Sequence, residues 1–401
     1  MQYVQLFDAV RTPRTKGRPD GSLAGVAPYE LVRQLVGAIE ARHGAAVTHA
    51  IERLALGCVT QVGVQGGHVA LVSRILAGLP DTAVAVTLNN YCVSGMTAVA
   101  SAARAIATGE ESLSLAGGVE SMSQASFESD QAKFFSDPAL AAQIKYVSPP
   151  IVADWLATEE RLTREDLDAV TVHSHRRAGV AWSEGRYAST VVPVVRSDGS
   201  RVERDELIRP QLSVSDLARF PPAFGALGAQ GADAFLTRNV PGLNAVQHLH
   251  AVPHCPPIAD GAALILLGSA QAGARLGLRP RAELAMVAEV DTDLLRPFAA
   301  GFAALQRLLE RSKLDLKDLG ALEFMEAFAA VPAKFRRDWD IDPERVNASG
   351  GHLAMGHPMG ASGAILIATL LAEMERRDVE WGAAVAHAVS GVGCGVLLRR
   401  G

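Results

Sequence analysis

Two side chains of this 401-residue chain, Cys92 and His357, sit in surroundings suited to covalent chemistry. Residues 84–88 form an apolar, β-rich run, the polar turn Asn89-Asn90-Tyr91 follows, and small residues from Ser94 and Gly95 onward begin a helix. Cys92 therefore falls where a strand hands over to a helix N-terminus. There, unpaired backbone N–H groups and the positive end of the helix dipole favour a thiolate over a thiol. That placement suits a covalent nucleophile. The alternative is a small core residue, since free cysteine is among the most buried types. The second stretch is Gly356-His357-Pro358-Met359-Gly360-Ala361-Ser362-Gly363. A histidine between glycine and proline, on a tight turn ahead of a helix, is held rigidly with its ring free to enter a cleft; a structural histidine more often lies within a regular element. Beside a cysteine it would accept the thiol proton and return it to a leaving group. Attack on a thioester also creates an oxyanion that needs unobstructed backbone donors. The N–H groups of Cys92 and Gly391 are the candidate pair, and one such donor is worth about 2.7–4 kcal/mol of the barrier.

Positioning these residues requires a frame, and the chain supplies an α/β rhythm. Strands are expected over residues 1–11, 54–59, 84–88 and 112–118, with helices over 28–42, 68–77 and from Ser94 onward. Strand–helix–strand alternation implies parallel pairing with right-handed crossovers. Between about 121 and 250 the character changes to polar and proline-containing segments, with one clear helix over 163–184 opened by the capping-type Thr163-Arg164-Glu165-Asp166. We read this as an insertion carried on a rigid sheet, a common place for substrate recognition. A fully apolar strand follows over 260–268. The final third repeats the first in outline: a strand at 322–324, a glycine-rich turn over 350–363 opening a helix to Met374, and a strand over 383–389 running into Ser390-Gly391-Val392-Gly393-Cys394-Gly395. Ser94-Gly95 starts the helix after Cys92 and Ser362-Gly363 starts the helix after His357, which suggests an internal duplication with facing halves. The expected division is 1–120 with 251–270, an inserted 121–250, and 271–401.

The length suggests two or three domains. With 49% hydrophobic and 20% charged residues and a net charge of −5, the composition is that of an ordinary globular protein with no electrostatic affinity for nucleic acid or an anionic membrane. Cys58, Cys92, Cys255 and Cys394 are scattered without CxxC spacing, so neither a disulfide framework nor a metal site is expected. No leader segment or run of about 20 apolar residues is seen, and a cytoplasmic setting is expected. The bias towards small residues, 37 glycines among them, suits tightly packed helices and backbone that approaches a ligand closely.

Six stretches carry a resemblance. Arg11-Thr12-Pro13, residues 89–95, Gly117-Gly118-Val119-Glu120-Ser121-Met122-Ser123, Asp260-Gly261-Ala262-Ala263, Glu326-Ala327-Phe328-Ala329 and residues 347–363 occur in an order that resembles the thiolase family, the acetyl-CoA acetyltransferases and 3-ketoacyl-CoA thiolases, over nearly the whole chain. The resemblance implies a five-layered α/β/α/β/α fold built from two duplicated halves with an inserted loop domain. It also implies a homodimer or homotetramer, and ping-pong acyl transfer from an acyl-CoA or acyl-carrier thioester with no permanently bound cofactor. Fold alone does not settle function. By the same resemblance Cys92, His357 and Gly391 form the acyl-enzyme machinery, and Met122, Phe328, Pro149 and Pro256 fall at substrate-binding positions.

The machinery for the carbon–carbon bond departs from the family pattern. Val389, or Ser390 with a shift of one, stands where a second cysteine acts as base, and Met325 stands where an asparagine holds a water. A positioned base is worth roughly 10²–10⁴-fold in rate, so ordinary condensation should be impaired unless another group substitutes. Cys394, His387 and His352 are the nearby candidates; His352 occupies a site that is usually small or aliphatic. In the pantetheine region, Ser148-Pro149-Pro150 replaces His-Met-Gly, and Pro256 replaces a serine and has neither a hydroxyl nor an N–H to donate. Beside the acyltransferase reading stand two others: a catalytically quiet subunit that lends its fold to a complex, and a partner-dependent carbon–carbon synthase or lyase.

Overall fold

The computed structural model describes residues 3–296 and 298–401, so the first two residues of the strand expected over 1–11 lie outside the described residues. The apolar runs form strands β1 (Val4–Arg11), β2 (Arg53–Gly57), β3 (Val84–Leu88), β4 (Leu113–Ser121), β5 (Ala259–Ser269), β6 (Ala282–Asp291), β7 (Ala321–Phe324), β8 (Trp381–His387) and β9 (Val392–Arg399). With Thr15–Lys16 paired onto β5, they make one ten-stranded sheet ordered β7-β8-β9-β6-β1-β5-β4-β2-β3. That order contains one arrangement twice. In the first half β2 runs parallel to β4, and β5 and then β1 follow antiparallel. In the second half β7 runs parallel to β8, and β9 and then β6 follow antiparallel. The halves join where Val4–Leu6 of β1 pair with Ala282–Leu284 of β6.

The main helices are α1 (Pro28–His43), α2 (Val69–Leu76), α3 (Ser94–Thr108), α4 (Pro149–Glu159), α5 (Arg164–Ser183), α6 (Ala299–Ser312) and α7 (Met359–Arg377). Helices α3 and α7 pack on each other and touch strands of both halves, forming the central layer; α1 and α2 cover the first half from outside and α6 the second. This is the five-layered arrangement. Helix α7 is buried from Met359 through Met374, which is why its sequence is apolar on all faces. Its crossing with α3 explains part of the small-residue bias: a Cβ on Gly95 would lie 2.6 Å from the Gly360 carbonyl oxygen, and one on Gly363 would lie 2.6 Å from the Met96 nitrogen.

Several expectations shift. The helix after His357 starts at Met359, not at Ser362-Gly363, so the two Ser-Gly steps fall at different helix positions although each helix begins two residues after its candidate residue. The glycine-rich Val392-Gly393-Cys394-Gly395 is the start of strand β9, paired on both sides, rather than a turn. The inserted region holds α4 as well as the expected α5, whose capping box joins Thr163 to Asp166. Pro149 and Pro150 open α4, where a missing N–H costs nothing. Among the described residues no helix is long and apolar enough to cross a membrane, and no group of three or more His, Cys, Asp or Glu is placed to hold a metal ion.

Candidate active site

The turn between β3 and α3 is held by its own side chains. The Asn89 amide donates to the Val59 carbonyl at 3.1 Å, and its carbonyl oxygen accepts from the Tyr91 N–H at 3.0 Å. Ser94 Oγ accepts from the Asn90 N–H at 2.8 Å and donates to the Tyr91 carbonyl at 2.5 Å. This lacing holds Tyr91 at φ 49°, a conformation that costs a non-glycine residue about 1–3 kcal/mol. The outcome is a half-exposed Cys92 one residue ahead of the helix cap.

The second half brings His357 to it. The His357 N–H donates to the Pro257 carbonyl at 2.8 Å, its Nδ1 lies 2.7 Å from Ser362 Oγ, and its Nε2 lies 3.1 Å from Cys92 Sγ. In the tautomer that donates from Nδ1 to Ser362, Nε2 is free to accept the thiol proton. Two charged residues fasten this turn. Glu120, buried on β4, accepts from the N–H of Gly360 at 2.9 Å, of Val59 at 2.9 Å and of Thr60 at 3.0 Å, and from Gln65 Nε2 at 2.6 Å. It thereby binds the start of α7 to the first half. Arg14, also buried, donates to the Gly356 carbonyl at 3.1 Å, while Asp205 holds the Arg11 guanidinium through two 2.8 Å contacts and the Arg14 N–H at 2.7 Å.

The electrostatics correct one expectation. Burial, reinforced by the Glu120 carboxylate, pushes the Cys92 thiol up to about 12, against the lowering effect of its own backbone N–H. Burial and the nearby Arg14 pull His357 down to about 4. The resting pair is therefore a neutral thiol and a neutral imidazole, not a preformed thiolate. The partial charge of a helix end is outweighed by desolvation and a full carboxylate nearby. The proton must then move to Nε2 as the sulfur attacks.

The remaining candidates divide. Met325 is buried, with its N–H on the Val385 carbonyl at 3.0 Å, and it shares an apolar cluster with Cys92, Phe328 and Val389. Phe328 lies 5.9 Å from the Phe298 ring and 6.1 Å from His250. Ser390 and Gly391 turn at φ 67° and 76°; a Cβ on Gly391 would lie 2.4 Å from the Thr292 oxygen, so only glycine fits there. Cys394 sits within β9 opposite Glu289 and Ala386, its charged neighbours being Glu289 and Arg104. Met122 packs with Val59 and with Met359, two residues after His357. Pro149 is half-buried at the start of α4. Pro256 lines a groove with Pro257, Ile258 and Leu353, flanked by Lys16 and Arg209. The segment leading into that groove is tied down by histidine–carboxylate pairs: His248 bridges Asp154 and Asp233, His250 meets Asp154, and His254 meets Asp168. His352 and His387 are buried near His357 with all four ring nitrogens unpartnered among the described residues.

Sequence reasoning missed Glu120, Arg14 and Ser362 as supports. Glu120 left a readable trace, a lone acid in an otherwise uncharged buried strand, which must be paired to be tolerated.

A cysteine and a histidine supplied by matching joins of a duplicated α/β frame agree with what known proteins offer. The family model for the thiolase N-terminal domain matches residues 4–235, and that for the thiolase C-terminal domain matches residues 278–400. The chain is 35% identical to a beta-ketoadipyl-CoA thiolase of Pseudomonas knackmussii, over 98% of each chain. It is 32% identical to a 3-oxoadipyl-CoA/3-oxo-5,6-dehydrosuberyl-CoA thiolase of Escherichia coli, over 99% of each. The crystal structure of the Bacillus anthracis acetyl-CoA acetyltransferase superposes with a TM-score of 0.86 at 26% identity, covering 100% of this chain and 99% of that one. Fold, order of elements and full-length likeness coincide, and the chain belongs to the thiolase family.

Proposed function

We propose that this thiolase-family acyltransferase loads an acyl group from an acyl-CoA onto Cys92, with His357 as its acid–base partner. The observation that carries the reading is the 3.1 Å separation of His357 Nε2 from Cys92 Sγ. As the sulfur attacks the thioester carbonyl, Nε2 takes the thiol proton and the carbonyl oxygen becomes an oxyanion facing the N–H groups of Cys92 and Gly391. Collapse breaks the bond to the CoA sulfur, and the departing thiolate takes the proton from His357. The acyl group then passes to a second CoA or to the carbon of a second thioester. Two of the relatives are named as thiolases of beta-ketoadipyl-CoA and 3-oxoadipyl-CoA, and a 3-oxoacyl thioester is the natural expectation here.

The groove beside Pro256 suits the coenzyme. Its apolar walls match the pantetheine arm and Lys16 and Arg209 match phosphate, while the carbonyl of Pro257 anchors His357, so the groove abuts the reacting atoms. The Cys92–His357 contact supports the acyl-enzyme step by supplying a nucleophile and an acceptor for its proton. The carbon–carbon step is altered, because neither Met325 nor Val389 can carry a proton. A homodimer is supported by strand β3, an edge strand whose Val84 is 48% exposed, and by Ile75 of α2 at 56% with Leu71, Val72 and Leu76 also exposed. Unpaired edges and apolar patches of this kind call for a covering surface, and this one runs directly into the Cys92 turn.

Incubation with acetyl-CoA followed by peptide mass spectrometry tests the first step. An acetyl adduct on Cys92 that iodoacetamide pretreatment blocks is the expected result. No adduct, or one that survives Cys92→Ala, rejects the reading.

A further inference from the structure

His352 and His387 are buried polar groups without a structural task. His352 opens the short helical turn His352–Met355 and is 1% exposed; its ring centre lies 5.3 Å from that of His357, with the ring planes at 78°. Neither of its nitrogens has a partner among the described residues. An unpaired buried polar group costs about 1–3 kcal/mol, and such a group points to a role or to a ligand that completes it. His387 is equally unpartnered but more enclosed. It lies 5.5 Å from the Phe298 ring and 5.4 Å from the Phe324 ring, and a Cβ on Gly301 would come within 2.1 Å of its Nδ1.

Once Cys92 carries an acyl group, joining it to a second thioester requires removal of a proton from that thioester's α-carbon; cleavage requires its return. Few groups are free to do this. Met325 and Val389 cannot. Glu120 is occupied by four donors, Cys58 lies beside Glu120, and Cys394 faces Glu289. His357 Nε2 lies against the Cys92 sulfur, 3.1 Å away, and serves the acylation half of the cycle. We propose that His352 is the second acid–base residue of this enzyme, exchanging the α-proton of the acetyl thioester in the carbon–carbon step. The assignment rests on the acyl-enzyme reading above. In condensation a free ring nitrogen takes the α-proton and the C–H electrons form the enolate. The enolate carbon attacks the Cys92 thioester carbonyl, the C–S bond breaks, and the released Cys92 thiolate receives the proton from the His352 imidazolium. Cleavage runs the same steps in reverse. Burial, with His357 and Arg14 nearby, keeps the resting ring neutral, which leaves a nitrogen lone pair available and makes the imidazolium a ready donor.

The test uses the full-length enzyme with acetyl-CoA in D2O and reads two quantities: acetylation of Cys92 and deuterium entry into the acetyl methyl group. His352→Ala removes the ring; His352→Gln keeps much of its size and hydrogen bonding but cannot take the proton. Both variants should acetylate Cys92 while deuterium exchange falls by about 10²–10⁴-fold. Exchange that persists within fivefold in either variant overturns the assignment, as does parallel loss of acetylation and exchange in both. If His352→Ala does not fold, His352→Gln alone decides. Unsubstituted enzyme that fails to acetylate Cys92 at all defeats the acyl-enzyme reading itself, a result distinct from acetylation with unimpaired exchange in the variants.

Discussion

The two joins that meet at the site do opposite jobs. The β3-to-α3 join presents Cys92 half-exposed and is laced by local side chains, Asn89, Asn90 and Ser94. The join entering α7 holds His357 from behind, through Glu120, Arg14, Ser362 and the Pro257 carbonyl, and leads into a helix buried for four turns. The same topology thus presents a half-buried cysteine at one join and a half-buried histidine, braced from behind, at the other. The difference lies in what packs around each, not in the elements themselves.

The comparison can be broken most severely at the cysteine join. Cys92→Ala should reduce acyl transfer on the order of 10⁶-fold, to background in a CoA-release assay. At the histidine join, His357→Ala should cost about 10²–10⁴-fold in the same assay, because the thiol retains its position but loses its acceptor. An equal loss in the two variants would show that they act as one unit.

Acid should expose the second distinction. His357, His254 and His175 are each pulled to about 4, and His387 to about 3, chiefly by burial. Their folded values lie below the ordinary 6.5, so the unfolded chain binds more protons between those limits. The stability they allow is present above pH 6.5 and is lost as pH falls towards 4. Thermal melting should therefore drop steadily from pH 7 to pH 5, and a flat profile over that range would contradict the burial of these rings. Glu120→Gln acts on both joins. It strands at least one of four donors, for a loss of about 1–3 kcal/mol in denaturant unfolding. Removing the carboxylate should also shift the pH profile of Cys92 alkylation by iodoacetamide to lower pH. Smallest of all, Ser362→Ala frees the His357 Nδ1 and should lower kcat/KM less than tenfold, consistent with one hydrogen bond of about 0.5–1.5 kcal/mol.

Much of the frame was legible because its signals are local. The run 84–88, the capping box at Thr163 and the Gly-His-Pro turn each depend on neighbours in sequence. Strand β9 was not legible, because Gly393 and Gly395 argue against a strand until two partner strands supply the hydrogen bonds. Helix α4 was not expected from the sequence; Pro149 and Pro150 serve as its start.

Residue type and spacing alone singled out Cys92 and His357 as candidates and two similar α/β halves around them, because strand and helix periodicity and turn composition are short-range properties. Only the tertiary structure decided that burial and Glu120 push the Cys92 thiol up, that Arg14 bears on His357, and that His352 lies unpaired beside His357. These facts depend on desolvation and on charges brought together from positions up to 343 residues apart in sequence, between Arg14 and His357. No local pattern records that distance.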